Sequence, residues 1–148
     1  MGVTFTNCVL IMIGGALGTL ARYAIGVAAG PISGQFGQLP WGTILINVSG
    51  SFIIGFFGTL TLAHGRFPAP ESLRLFVMIG LCGGYTTFSS FSLQTLDLIR
   101  SGGMVRAAVN VAASVVFCII AVAAGHLIAS HLNGGAREIA QTAIEEDG

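Results

Sequence analysis

The sequence predicts an all-α integral membrane protein with four transmembrane helices per subunit, the third of them broken. Of its 148 residues, 53% are hydrophobic and only 8% are charged, and the mean hydropathy is +0.86. A soluble domain carries roughly a quarter charged residues. The apolar residues form four long stretches, and the third contains an interruption rich in glycine and hydroxyl side chains. These features predict a chain whose main solvent is a lipid bilayer.

Each apolar stretch is long enough to cross a bilayer core about 30 Å thick, which takes about 20 helical residues. The predicted spans cover about residues 5–29, 41–64, 72–99 and 104–131. A turn-like region from Gly30 to Pro40 separates the first two, and Trp41 suits an interfacial anchor. We therefore expect one transmembrane domain over residues 1–131 and a polar tail over residues 132–148 that ends in an acidic run.

The third span is interrupted near residues 83–87, where Gly83 and Gly84 precede a run of threonines and serines. Adjacent glycines and clustered hydroxyls make a poor uniform helix. Irregular backbone at membrane depth is tolerated only where protein buries it or where it lines a wet cavity. The interruption therefore predicts the position of the working site.

Small or polar residues recur every four positions along the other three helices. The series are Gly14, Gly18, Arg22, Gly26 and Gly30; Thr43, Asn47, Ser51 and Gly55; and Arg106, Asn110, Ser114 and Cys118. Small residues at this spacing let helices approach closely, so helix packing is the alternative interpretation for the glycines. Asn47 and Asn110 either line a polar pathway or tie two helices together. Arg22 is costly in a membrane and is usually functional or paired, unless it snorkels to the interface.

Several function classes are disfavoured by what the spans lack. Glu71 lies in a loop and Asp97 near a helix end, so no acid occupies the centre of a span, as proton-coupled transport typically requires. Catalytic motifs and metal-ligand spacings are missing, so we do not expect an enzyme. A net charge of zero gives no reason to expect a nucleic-acid partner. The three cysteines fall in apolar stretches and are interpreted as small core residues. The polar residues of the spans therefore supply hydrogen-bond donors without an acidic side chain among them, and this combination suits an anion.

The arginines divide evenly between the two sides of the membrane. An even number of spans places Arg66, Arg74 and Arg137 on one side, and Arg22, Arg100 and Arg106 on the other. This balance leaves the positive-inside rule without a bias. It predicts insertion in both orientations and an antiparallel dimer of dual topology, unless one loop alone sets the orientation.

Three segments resemble the Fluc (CrcB) family of fluoride channels. They are GGALGTLARY at residues 14–23, GTILINVSGSF at residues 42–52 and GLCGGYTTFSSFS at residues 80–92. The likeness covers about residues 5–130, and the third segment, inside the broken helix, is the most specific. The resemblance implies a multi-pass protein of the bacterial inner membrane that exports fluoride passively through an antiparallel homodimer.

The resemblance also implies roles for single residues. Backbone carbonyls of Gly83 and Thr86 from both subunits would hold a structural, non-transported sodium ion on the dimer axis. The residues that match or accompany the fluoride pore are Asn47, Thr87, Phe88, Phe91, Asn110 and Ser114. Arg22 would orient the dimer or draw anions into a vestibule. Asn110 replaces a common tyrosine but can still donate a hydrogen bond, so the pore is expected to differ in detail without loss of function. Gln94 replaces a common glutamate and removes a charge, so no role is assigned to that position.

Two alternative hypotheses are compatible with the same chain length and number of spans. One is a small dual-topology, proton-coupled exporter, which requires the mid-membrane acid that this sequence lacks. The other is a structural membrane subunit with no conduction of its own. Fluoride efflux that is independent of pH and does not saturate would exclude the exporter.

Overall fold

The computed structural model describes residues 4–35, 38–63 and 65–134, and the regular structure within these ranges is helical. The elements are α1 (Phe5–Gln35), α2 (Trp41–Leu60), α3 (Glu71–Arg74), a π-helix (Leu75–Cys82), α4 (Gly83–Tyr85), α5 (Phe88–Arg100) and α6 (Met104–Leu132). Four helical segments are long and apolar enough to span a membrane, with the third running from Glu71 to Arg100. The predicted all-helical fold with four spans is therefore confirmed. Most of the predicted tail, from residue 135 onward, lies outside the described residues.

Helix α1 extends further than the sequence indicated. The turn expected from Gly30 does not form there, because α1 continues through Pro31 to Gln35. Proline removes one backbone donor and crowds the preceding turn. Pro31 lies close to the end of α1, where few hydrogen bonds remain to be lost, so it does not terminate the helix.

Helix α2 ends at Leu60 because two side chains from elsewhere take up its last carbonyls. Asn133 Nδ2 donates to Thr59 O at 3.0 Å and to Leu60 O at 3.2 Å. Arg74 Nη1 donates to Gly58 O at 3.0 Å. The last carbonyls of a helix have no intrahelical donor, and a cation is favourable at that end. The end expected near His64 is therefore replaced by an earlier one, and His64 itself lies outside the described residues.

The third span begins as α3 and then widens into a π-helix over Leu75–Cys82. The sequence predicted ordinary helix here. π-Helices are rare, occur mostly as single turns and are frequent at functional sites. The widened turn lies immediately before the interruption that the sequence marked as the working site.

Glycines let α1 lie directly against the π-helix and α4. A Cβ placed on Gly14 would come within 2.6 Å of Phe76 O, and one on Gly80 within 3.0 Å of Ile11 O. A Cβ on Gly18 would overlap the carbonyl oxygen of Leu81. The glycine series of α1 is therefore a packing surface over its first half. Gly26, in the second half, has open space around its Cβ position.

Among the described helices, α2 and α6 form the most extensive pairwise interface. A Cβ on Gly125 would overlap Phe52 O, and one on Gly55 would overlap Val122 O. Near the end of this interface Thr59 Oγ1 and His126 Nδ1 are 2.8 Å apart. The α2–α6 pair is thus a close-packed frame against which the broken third span is set.

Replacing Gly18 with alanine is expected to destabilise the fold, because its Cβ has no room beside the Leu81 carbonyl. Overpacking of this kind typically costs about 1–3 kcal/mol. Thermal unfolding of the purified protein in detergent measures the effect. Gly26→Ala is the matched control on the same helix, with nothing within 4 Å of its Cβ. Equal melting temperatures for the two variants would contradict this account of the α1 packing.

Candidate functional site

The interruption in the third span consists of two extended residues between α4 and α5. Thr86 has φ −77° and ψ 158°, and Thr87 has φ −152° and ψ 114°. Thr86 is tied back to the preceding helix, since its backbone N and its Oγ1 both donate to Cys82 O at 2.9 Å. The chain therefore leaves the helix after Tyr85 and enters a new one at Phe88.

Asn47 of α2 supplies the hydrogen bonds that the extended backbone has lost. Its Nδ2 donates to Thr87 O at 3.0 Å, and its Oδ1 accepts from Thr87 N at 2.7 Å. The amide thus pairs with Thr87 as a neighbouring strand would. An unsatisfied backbone group inside a membrane costs several kcal/mol, so this pair stabilises the interruption. Asn47 Nδ2 carries a second hydrogen, which no described residue accepts.

The N-terminus of α5 is capped by Thr87. Thr87 Oγ1 accepts from Ser90 N at 3.1 Å and contacts Ser90 Oγ at 3.0 Å. Threonine is one of the preferred residues for this capping position. The first turn of a helix carries partial positive charge, which favours an anion nearby.

A cavity of about 360 Å³ lies between α2, the broken span and α6. It is lined by Asn47, Gly50, Ser51, Ile54, Met78, Cys82, Gly83, Thr86, Thr87, Phe88, Phe91, Ser114, Val115 and Cys118. Among the residues that the structure describes, no acidic or basic side chain lines it. Its polar groups are an amide, hydroxyls, thiols and the backbone of the interruption. Such a wall offers donors to an anion and no carboxylate that would repel one.

Phe88 and Phe91 form the aromatic part of the wall. Their ring centroids are 5.3 Å apart and their planes are tilted by 48°. Phe88 is 79% exposed, so most of this residue is left uncovered by the described part of the chain. Aromatic rings carry a positive edge, which allows close contact with an anion in the ring plane.

Five of the six residues predicted for the pore lie on this one cavity: Asn47, Thr87, Phe88, Phe91 and Ser114. Gly83 and Thr86, predicted to hold an ion, lie on it as well. Arg22 does not line it. Arg22 is half-buried on α1 and has no hydrogen-bond or ion-pair partner in the described part of the chain.

Asn110 lies behind the cavity wall instead of on it. Its side chain is 0% exposed, and its Nδ2 donates to Thr95 Oγ1 at 2.9 Å. Thr95 Oγ1 in turn donates to the Phe91 carbonyl at 2.7 Å. Asn110 therefore reaches the aromatic wall through Thr95. Gln94, the other position singled out by the sequence, lines a separate cavity of about 470 Å³ with Gln38 and Asp97.

Two lining residues belong to the four-residue series found in the sequence but were not predicted for the pore. Ser51 lies four residues after Asn47, and Cys118 four residues after Ser114, and both line the cavity. Cys82 is buried, as the sequence predicted, and Cys118 is half-buried; both also form part of the cavity wall. The four-residue spacing held the signal for Cys118. Met78 and Cys82 lie on the π-helix. The 3.6-residue period of an α-helix does not predict which residues of a π-helix face the cavity.

Comparison with known proteins identifies the family. Residues 9–126 match the family model described as "CrcB-like protein, Camphor Resistance (CrcB)". The chain belongs to the CrcB family. Within this family, the chain is 72% identical over 146 residues to the Fluoride-specific ion channel FluC of Methylobacterium radiotolerans, covering 99% of this chain and 100% of that one.

Two further CrcB relatives carry the same name. The Gluconobacter oxydans protein is 69% identical, covering 98% of this chain and 99% of its own length. The Methylocella silvestris protein is 64% identical, covering 83% of this chain and 92% of its own length. Together with the four spans, membership of this family identifies a multi-pass protein of the bacterial inner membrane and not an enzyme.

Replacing Asn47 with alanine is expected to expose the Thr87 amide, because its acceptor is lost. The free energy of local opening at the interruption is expected to fall by about 1–3 kcal/mol, which is the cost of leaving one buried polar group unsatisfied. Hydrogen–deuterium exchange of the peptide containing Thr87 measures this. Ser51→Ala is the matched control, since the Ser51 hydroxyl lines the same cavity and, within the described ranges, bonds only back to Asn47 O. Unchanged protection of the Thr87 amide in Asn47→Ala would contradict the role given to the Asn47–Thr87 pairing.

Proposed function

We propose that this CrcB protein is a fluoride-specific ion channel that exports fluoride passively and lowers its concentration in the cytoplasm. The observation that carries the proposal is the cavity at the interruption, where Asn47, Phe88 and Ser114 from three different membrane spans meet. Relatives that share 72% and 69% of their residues with the chain over nearly its full length are named as fluoride-specific ion channels.

The lining suits fluoride on physical grounds. Fluoride is small and strongly hydrated, so a pore must replace the lost water with hydrogen-bond donors. The Asn47 amide has a hydrogen that no described residue accepts, and the Ser114 hydroxyl lies on the same wall, whereas the Ser51 hydroxyl donates back to Asn47 O. The capped N-terminus of α5 adds partial positive charge without a mobile cation. A fixed arginine or lysine would hold the ion too strongly for it to leave.

The working unit that we propose is an antiparallel homodimer of dual topology. Gly83 is exposed, with nothing within 4 Å of its Cβ position, and the Phe88 ring is 79% exposed. Residues of the interruption are thus left open by their own chain, at a depth where exposed backbone is unfavourable. A second copy meeting the first at Gly83 would cover this region. The even division of arginines supports opposite orientations of the two copies.

A structural sodium ion held by the Gly83 and Thr86 carbonyls is part of the same proposal. In a continuous helix, Thr87 N would donate to Gly83 O and Ser90 N to Thr86 O. Instead, Thr87 N donates to Asn47 Oδ1 and Ser90 N to Thr87 Oγ1. Both carbonyls have lost the donor that a continuous helix supplies. Neutral carbonyl oxygens are ligands that suit a hard cation, so the residues present fit sodium.

Fluoride efflux from liposomes containing the purified protein tests the function, with release read by a fluoride electrode. The wild type is expected to release fluoride rapidly without releasing chloride, at a rate that does not depend on pH. Phe88→Ile is expected to slow release by about tenfold or more, because an aliphatic side chain has no positive edge for the anion.

The matched control is Phe117→Ile, which makes the same change on α6 outside the cavity. It should retain the wild-type rate. Absence of fluoride release from the wild type would overturn the proposed function. Release that requires a proton gradient would favour the proton-coupled exporter instead.

Sodium removal is the test of the ion site. Reconstitution with N-methylglucamine in place of sodium on both sides is expected to lower fluoride efflux by about tenfold, because the ion stabilises the folded dimer by mass action. Restored sodium should recover the rate, whereas potassium at equal concentration serves as the ionic-strength control. A sodium gradient should not drive fluoride, since the ion is not transported. Equal efflux with and without sodium would contradict the site.

A further inference from the structure

Three sulfur-containing side chains line the cavity: Met78, Cys82 and Cys118. Met78 and Cys82 come from the π-helix, and Cys118 comes from α6 on another wall. Cys82 is only 3% exposed, and its backbone oxygen is fixed by both donors of Thr86. Met78 lies against α2, with its Sδ at 3.7 Å from the Cβ position of Gly58. The sulfurs therefore come from two neighbouring segments, the π-helix and α6, around one cavity.

The passage of fluoride does not account for these sulfurs. A thiol is a weak hydrogen-bond donor and a thioether only a weak acceptor, so neither replaces the water that fluoride loses. The same wall carries Ser51 and Ser114, which shows that hydroxyls fit at this depth. Cys118 lies four residues after Ser114 on the same face of α6, where a further hydroxyl would serve a hard anion better.

Thiols and thioethers are instead the ligands preferred by soft metal ions such as mercury(II), silver(I) and copper(I). Such an ion binds as the thiol proton leaves to water and a sulfur–metal bond forms, with no change of oxidation state. The thiolate neutralises the ion, which matters in a cavity without a charged side chain among the described residues. Hard cations prefer oxygen ligands such as the carbonyls of the interruption and would not bind the sulfurs.

We propose that the cavity is a binding site for a thiophilic metal ion, held by the Cys82 and Cys118 thiolates with the Met78 thioether beside them. A bound ion occupies the space in front of Asn47 and Phe88 and stops the passage of fluoride. The inhibition rests on the proposed function, whereas the binding of metal does not. The cavity would then have two ligand classes, a hard anion that passes and a soft cation that blocks.

The third cysteine of the chain provides the matched control. Cys8 is exposed on α1 and does not line the cavity. A reagent that merely reacts with any thiol of the protein would modify Cys8 at least as readily, because thiol reactivity rises with exposure. Selective attachment at Cys82 and Cys118 therefore distinguishes a built site from general thiol chemistry.

The first arm of the experiment measures binding on the purified protein with mercuric nitrate as the probe. Intact-protein mass spectrometry and peptide mapping of the wild type are expected to find mercury on Cys82 and Cys118 before it appears on Cys8, and Cys8→Ser is expected to bind mercury at the same two residues. Cys118→Ser, at a half-buried position on α6, should require about tenfold more mercury for the same occupancy, since one of two thiolates is lost. Mercury confined to Cys8 in the wild type would overturn the proposal.

The second arm measures fluoride efflux with and without mercury, each variant compared with its own untreated rate. Mercury is expected to slow the wild type and Cys8→Ser by about tenfold, and the Cys82→Ser/Cys118→Ser variant by less than about twofold. Inhibition that persists in the double variant would overturn the blocking role. Should the wild type conduct no fluoride, the proposed function fails, and the binding arm alone decides the metal site.

Discussion

The pairing of the Asn47 amide with the Thr87 backbone is the interaction on which the site depends. A bilayer offers no water to an extended segment, so a residue that leaves the helix must find both a donor and an acceptor within the protein. Asn47 supplies both from a single side chain, at 3.0 and 2.7 Å. With Thr87 secured in this way, α5 can begin at Phe88 with its N-terminus directed at the cavity.

The replacement of helical hydrogen bonds by bonds to side chains also determines the chemistry of the cavity. Because Thr87 N donates to a side chain, the Gly83 carbonyl loses its helical donor, and because Ser90 N donates to Thr87 Oγ1, the Thr86 carbonyl does too. The same side-chain bonds leave both carbonyls without their helical donors and place the partial positive charge of the α5 N-terminus beside the cavity. These groups give the cavity its polarity, since no charged side chain of the described residues lines it.

The sequence predicts the four spans and the interruption because both depend on local composition. Runs of apolar residues require helices in a bilayer, and the glycines and hydroxyls at residues 83–92 identify where the third helix fails. The end of α2 was not predictable in this way, since it is set by Arg74 and Asn133, far along the chain. The π-helix over Leu75–Cys82 was missed as well, because the close approach of α1 at Gly14 and Gly80 is a tertiary contact.

Asn110 is a residue near the site whose contacts cannot be predicted from sequence spacing alone. Its spacing from Ser114 correctly indicated a shared helix face, but only packing decides which members of that face reach the cavity. The nearby Thr95 hydroxyl takes the Asn110 amide and passes the interaction to the Phe91 carbonyl. A side chain that acts by holding α5 needs a donor of the right reach, and it need not line the cavity. The Asn110 amide meets that need through Thr95, which explains how the polar series of α6 can include a residue behind the wall while Phe91 keeps its place.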